Sequence, residues 1–142
     1  MSANRMPEIT PGSMPRPKGG IVSYLQVSDA AAASAFYRRA FGALEVNRLL
    51  HPDGKRIIHC HLYLNEGSLM LNDAFPDQGM PLVAPAAFTL TLMVDDIDAW
   101  FKRAADAGCE VISPVATMFW GDRYAALKDP FGVNWAMNEG AA

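Results

Sequence analysis

Only two cysteines, Cys60 and Cys109, occur in 142 residues, and each lies in an apolar segment. No disulfide framework is available, so free thiols in a reducing, cytoplasmic compartment are expected. An excess of positive charge is also missing. Twelve Lys and Arg stand against fifteen Asp and Glu, for a formal net charge of −3. The cations form no stripe that would neutralise a phosphate backbone, which excludes nucleic acid as a partner. Long apolar runs are absent as well: the longest, over residues 80–93, is broken by Pro81 and Pro85 and falls short of the ~20 residues that cross a bilayer. A membrane partner is therefore not expected. The first twenty residues lack the apolar stretch of a secretory signal. What the chain does have, 51% hydrophobic and 19% charged residues, is the composition of one soluble domain with a real core.

Residues 1–20 are rich in Pro, Gly, Ser and Met without periodicity, and a flexible arm is expected there. A single domain is expected over residues 21–142. Residues 22–27 read as a strand, Ser28 or Asp29 as a helix cap, AAAASAFYRRAF as the helix and Gly42 as its stop. Strands follow at 44–50, 56–64 and 68–72, separated by HPDGK and NEG turns. The same plan then returns. Residues 88–94 read as a strand, Asp95 or Asp96 as a cap, IDAWFKRAADA as a helix stopped by Gly108, and residues 109–112, 123–128 and 133–138 as strands. LQVSD at 25–29 matches LMVDD at 92–96, which sets Leu25 and Leu92 67 residues apart. Two β-α-β-β-β modules, at about 21–73 and 88–139 with a Pro- and Ala-rich linker at 74–87, are the pattern of an internal duplication.

Alternation sorts the strand faces. Over residues 56–64, Ile58, Cys60, Leu62 and Leu64 form a wholly apolar set that should pack on the helix, leaving Ile57, His59, His61 and Tyr63 on the other side. The same rule sends Val22, Tyr24, Gln26, Ser68, Met70, Asn72, Thr89, Thr91, Met93, Asn134, Ala136 and Asn138 to the face away from the helices. A mixed polar and apolar concave face is what a small-molecule pocket requires. Trp100 and Trp135 lie on apolar faces and are read as core.

The stretches YLQVSDAAAASAFYRRAFGA, DGKRIIHCHLYLNEGSLML, LMVDDIDAWFKRAADAGCEV and WGDRYAALKDPFGVNWAMNE resemble the vicinal oxygen chelate superfamily of glyoxalases, bleomycin resistance proteins and dioxygenases, and within it the PhnB-like branch. Together they cover nearly all of residues 21–139. The resemblance implies an α+β fold in which the paired modules form curled sheets around a cavity, usually in a homodimer. It also implies four symmetric metal-ligand positions, which fall on Val22, Met70, Thr89 and Ala136. Val, Met and Ala offer no hard donor and one Thr hydroxyl is weak, so no cofactor is expected. A small molecule held without the usual divalent metal is the expected ligand.

His59 and His61 form an H-x-H pair on one strand face, which sets two imidazoles about 7 Å apart. With Asp122 as a third group they could clamp a divalent metal, or one of them could act as a general base; polar residues on a half-open sheet face are the preferred reading of the pair. MFWGDRYA gathers Phe119, Trp120, Asp122, Arg123 and Tyr124 as an aromatic stacking surface with a donor for a carboxylate or phosphonate, or equally as a turn held by an Asp122–Arg123 surface ion pair with Trp120 filling the mouth of the barrel. Tyr24, Gln26 and Asn72, with Asn138, are polar groups expected to point into the cavity, where a ligand or water would satisfy them equally well. Catalysis is thus carried as the alternative to sequestration: a metal-dependent or acid-base lyase, isomerase or dioxygenase acting on a small oxygenated substrate through His59, His61 and Asp122.

Overall fold

The computed structural model describes residues 6–10 and 12–141. The expected arm therefore lies partly outside the described residues, at 1–5 and 11, as does the last residue, 142. The described chain is α+β. It divides into two compact units, the first comprising residues up to Arg38 together with Ala43–Val83, the second Arg39–Gly42 together with residues from Ala84 onward.

The first unit contains β1 (Ser23–Val27), most of α1 (Ala30–Phe41), β2 (Leu44–Leu50), β3 (Ile57–Leu64) and β4 (Gly67–Asp73). Its sheet runs β1-β4-β3-β2, with β1 parallel to β4 and the other pairs antiparallel. Asp29 caps α1 by accepting from the Ala32 N–H at 3.0 Å, as an acidic residue at that position should. Ala30, Ala33, Phe36, Tyr37, Ala40 and Phe41 are all buried, so the small and aromatic residues of the helix line its inner stripe. The two-residue turn between β3 and β4 places Asn65 and Glu66 at φ 48° and 65°, the left-handed pair that a tight hairpin needs. The alternation expected in β3 fails at its start. The β2–β3 register shifts between Leu49 and Leu50, a bulge that turns Ile57 from the histidine face into the core, where it is fully buried.

The second unit contains β5 (Leu90–Met93), α2 (Ile97–Ala107), β6 (Glu110–Thr117), β7 (Arg123–Lys128) and β8 (Asn134–Glu139), in the order β5-β8-β7-β6. Strand β6 extends five residues beyond the expected end at 112, through Pro114. Proline is tolerated there because β6 is the edge strand and its register shifts between Ser113 and Ala116. Trp135 is core, as expected. Trp100 is not: it is partly exposed and carries the Arg103 guanidinium 4.6 Å over its ring. That guanidinium also donates from Nε to the Ala40 carbonyl at 3.1 Å, satisfying an orphan acceptor at the end of α1.

The duplication extends to how each helix begins. Asp73, at the end of β4, accepts from the Ala30 N–H of α1, and Glu139, at the end of β8, accepts from the Ile97 N–H of α2. Each module therefore stabilises the positive end of its helix with a carboxylate from its last strand.

Candidate functional site

The face of the first sheet turned away from α1 carries most of the predicted polar residues. Gln26 lies beside Asn72 and Tyr24 beside Met70; Met70 lies beside His61 and Ser68 beside Tyr63; His61 pairs with Asn47 and His59 with Leu49. Extending the antiparallel β3–β4 register one residue past the Cys60–Leu71 pair brings His59 toward the row of Asn72. Strand pairing thus sets Tyr24, Gln26, Asn72, His59 and His61 on one surface.

The two histidines differ in setting. The Tyr24 hydroxyl lies 2.9 Å from His59 Nδ1, with the rings 5.7 Å apart. Burial lowers the His59 pKa and raises that of Tyr24, so at neutral pH the pair is a neutral imidazole and a phenol. His61 is 1% exposed. Its Nε2 lies 2.7 Å from Ser68 Oγ and its ring stands edge-on to Tyr63 at 5.1 Å. Burial, and secondarily the neighbouring His59, lower its pKa too. Among these polar groups Asn72 is singular: its buried Oδ1 accepts no hydrogen bond from any described residue.

Ser68, Tyr63 and Asn47 were not among the candidate site residues. Alternation had placed Ser68 and Tyr63 on this face, but their partners come from residues 14–18, where no periodicity gave a signal. The Tyr63 hydroxyl donates to the Arg16 carbonyl at 2.8 Å, and the Lys18 N–H donates to Ser68 Oγ at 2.7 Å. On the opposite face, Cys60 is buried against Glu45, and its thiol is pushed up to about 12, chiefly by burial. It is a protonated core thiol, not a nucleophile.

The remaining candidates belong to the second unit. Asp122 accepts from Asn138 Nδ2 and from the Ala141 N–H, each at 3.0 Å, and these bonds hold its carboxyl below the usual range. Arg123 makes a bidentate pair with Asp98 at 2.7 and 2.9 Å, so its guanidinium fork is already engaged. Phe119 is 97% exposed and Trp120 48% exposed; their rings meet edge-to-face at 4.8 Å, and Trp120 lies 6.3 Å from Tyr124. Gly121, at φ 98°, turns the chain between them.

The four positions at which the superfamily places metal ligands hold no adequate donor set. Met70 stands on the open face of β4 with a thioether, Ala136 is buried with a methyl group, and Val22 and Thr89 add an isopropyl group and one exposed hydroxyl. These residues do not fit a divalent ion. Among the described residues, no three His, Cys, Asp or Glu side chains gather as a metal site elsewhere would require. No described helix is long and apolar enough to cross a membrane.

The family model described as the Glyoxalase/Bleomycin resistance protein/Dioxygenase superfamily matches residues 20–137. The chain belongs to this superfamily. An uncharacterized protein of Mycobacterium bovis is 41% identical over 122 residues, covering 82% of this chain and 80% of the relative. Among solved structures, protein PA1353 from Pseudomonas aeruginosa is similar with a TM-score of 0.70 at 24% identity, covering 86% of this chain and 98% of that one. A glyoxalase/bleomycin resistance protein/dioxygenase family enzyme from Burkholderia phytofirmans is similar with a TM-score of 0.67 at 21% identity, covering 83% and 95%. At these identities the solved structures establish the superfamily's fold.

Proposed function

We propose that this superfamily member binds a small molecule on the open face of β1-β4-β3-β2 without the divalent metal used elsewhere in the superfamily. The observation that carries the reading is the buried, unpartnered Oδ1 of Asn72 among Tyr24, Gln26 and His59. A buried acceptor with no donor is destabilising, and a ligand N–H or O–H would satisfy it. The metal-free part follows from the side chains at Val22, Met70, Thr89 and Ala136. The PhnB-like branch, a homodimer and a cytoplasmic location belong to the same proposal. Exposed Val111 and Ile112 on β6 support the dimer, and two unpaired buried thiols support the compartment. Phe119, Trp120 and Tyr124 are proposed as an aromatic contact for the ligand.

Asn72→Val tests the reading. The variant removes the unsatisfied carbonyl and places a strand-favouring residue in β4, so the free protein should gain about 1 kcal/mol in urea unfolding. Compounds that raise the wild-type melting temperature in a screen should bind the variant at least ~10-fold more weakly. Equal affinity in the two proteins would overturn the reading.

A second reading, acid-base lyase or isomerase chemistry on a small oxygenated substrate, draws support from the Tyr24–His59 contact. A neutral imidazole beside a phenol can take a proton while the phenol orients or returns one. Loss of turnover with retained binding in His59→Ala would favour it.

A further inference from the structure

Residues 14–18 cross the open face of the first sheet. Met14 Sδ lies 3.2 Å from Asn47 Nδ2 on β2, the Arg16 carbonyl accepts from the Tyr63 hydroxyl on β3, and Lys18 reaches Ser68 on β4. Lys18 makes three contacts there. Its N–H donates to Ser68 Oγ, its carbonyl accepts from the Ser68 N–H at 3.0 Å, and its ammonium sits 4.1 Å over the Tyr63 ring. Ser68 and Tyr63 both also touch His61. The segment is thus fastened to two of the residues packed against His61, the most deeply buried side chain on this face.

Its sequence suits a part that opens and closes. Pro15 and Pro17 hold φ near the extended value, so little conformational freedom is lost on closing. Gly19 and Gly20 follow immediately, with Gly19 at φ 96°, a conformation that side chains rarely adopt. They separate the segment from β1. The fastenings are hydrogen bonds, two of them between Lys18 and Ser68, and a cation over a ring; none of residues 14–18 is buried, which is the profile of a locally opening element.

We propose that residues 14–18 are a strap, hinged at Gly19 and Gly20, that closes the His61 end of the open face and must lift before a ligand can reach it. This rests on the reading of that face as the binding surface, but the strap's own motion can be tested without a ligand. In the full-length chain, the Lys18 and Ser68 amides both depend on the closed strap. Amide exchange followed by NMR should therefore give them one common opening equilibrium. Tyr63→Phe removes the bond to the Arg16 carbonyl while keeping the ring under Lys18, and should speed exchange of both amides about three- to tenfold. Leu71, held between β1 and β3, should be unchanged. Lys18→Pro, in an exposed segment, deletes both the N–H to Ser68 and the ammonium over Tyr63 and should speed exchange at Ser68 by at least that factor.

Acylation of the imidazoles by diethyl pyrocarbonate, read by mass spectrometry, gives the second measurement. The His61 rate should rise in both variants by the same factor as the Ser68 exchange rate, while that of His51, held by Asp53 and Gln78, stays constant. A Lys18 amide that already exchanges freely in the wild type, or faster Ser68 exchange with no change at His61, would overturn the strap. If the strap results hold but Asn72→Val binds screened compounds as tightly as the wild type, the fault lies in the assignment of the face and not in the strap.

Discussion

Asp129→Ala should lower the stability of the protein by about 3–5 kcal/mol, roughly 10–20 °C in melting temperature for a chain of this size. Asp129 is 4% exposed. One of its oxygens accepts from the Phe131 N–H at 2.8 Å and the Val133 N–H at 3.0 Å, and the other from Trp135 Nε1 at 2.9 Å. Alanine would leave these donors, two of them buried, without their acceptor, at a point where water cannot reach them without breaking the core. It would also free the Trp135 indole, which packs 4.5 Å from the Phe41 ring. Asp129→Asn retains one carbonyl oxygen for the two backbone donors and should cost about half as much. Urea unfolding of the two variants checks the ordering; equal and small losses would show that water takes over the acceptor role.

The next largest effect is expected at Asp73. Its two oxygens accept from the Ala30 N–H at 2.7 Å and the Ile57 N–H at 2.6 Å, both buried contacts, and its charge faces the positive end of α1. Asp73→Ala should therefore cost about 2–4 kcal/mol. The loss should be smaller than at Asp129 because two donors are orphaned and not three, and Asp29 continues to cap the helix. A loss below about 0.5 kcal/mol, the range of an ordinary surface substitution, would mean that the carboxylate does not hold the β3 entry and the helix start together.

Neither role was legible in the sequence, and the reason is physical. Asp73 follows a strand and Asp129 opens a DPFG turn, both common places for a solvated aspartate; only tertiary packing decides that water is excluded. The helices, their caps and the repeat were legible because each rests on local chemistry: 3.6-residue periodicity, an acidic cap, and a glycine stop at Gly42 and Gly108. Faces were legible wherever alternation ran unbroken, as from His59 to Leu64. Alternation misplaced Ile57 because a bulge changes the count by one, and the pattern of side chains alone does not announce it. The length of β6 was missed because proline marks a strand end unless the strand is known to lie at a sheet edge. Trp100 was read as core because an aromatic on a helix face cannot reveal that an arginine from its own helix covers it.

The candidate site divides in the same way. Tyr24, Gln26, Asn72, His59 and His61 were placed on one face by the period of two, and strand pairing brings them together. Residues 14–18 gave no periodic signal, so their contacts with Ser68 and Tyr63 could not be read in advance. Arg123 looked like a free donor in sequence, but helix α2 supplies Asp98 from 25 positions away.

Metal content separates ligand binding without a metal from a metal centre on this chain. The full chain, purified without chelators, would be assayed by elemental analysis and then melted with and without added nickel, zinc, manganese or iron. Metal should stay far below one equivalent per chain, with no rise in melting temperature with any of the four, because Val22, Met70, Thr89 and Ala136 supply no adequate donor set. About one equivalent of a single metal, lost in His59→Ala and in His61→Ala, would contradict it and place a metal centre on the histidine pair.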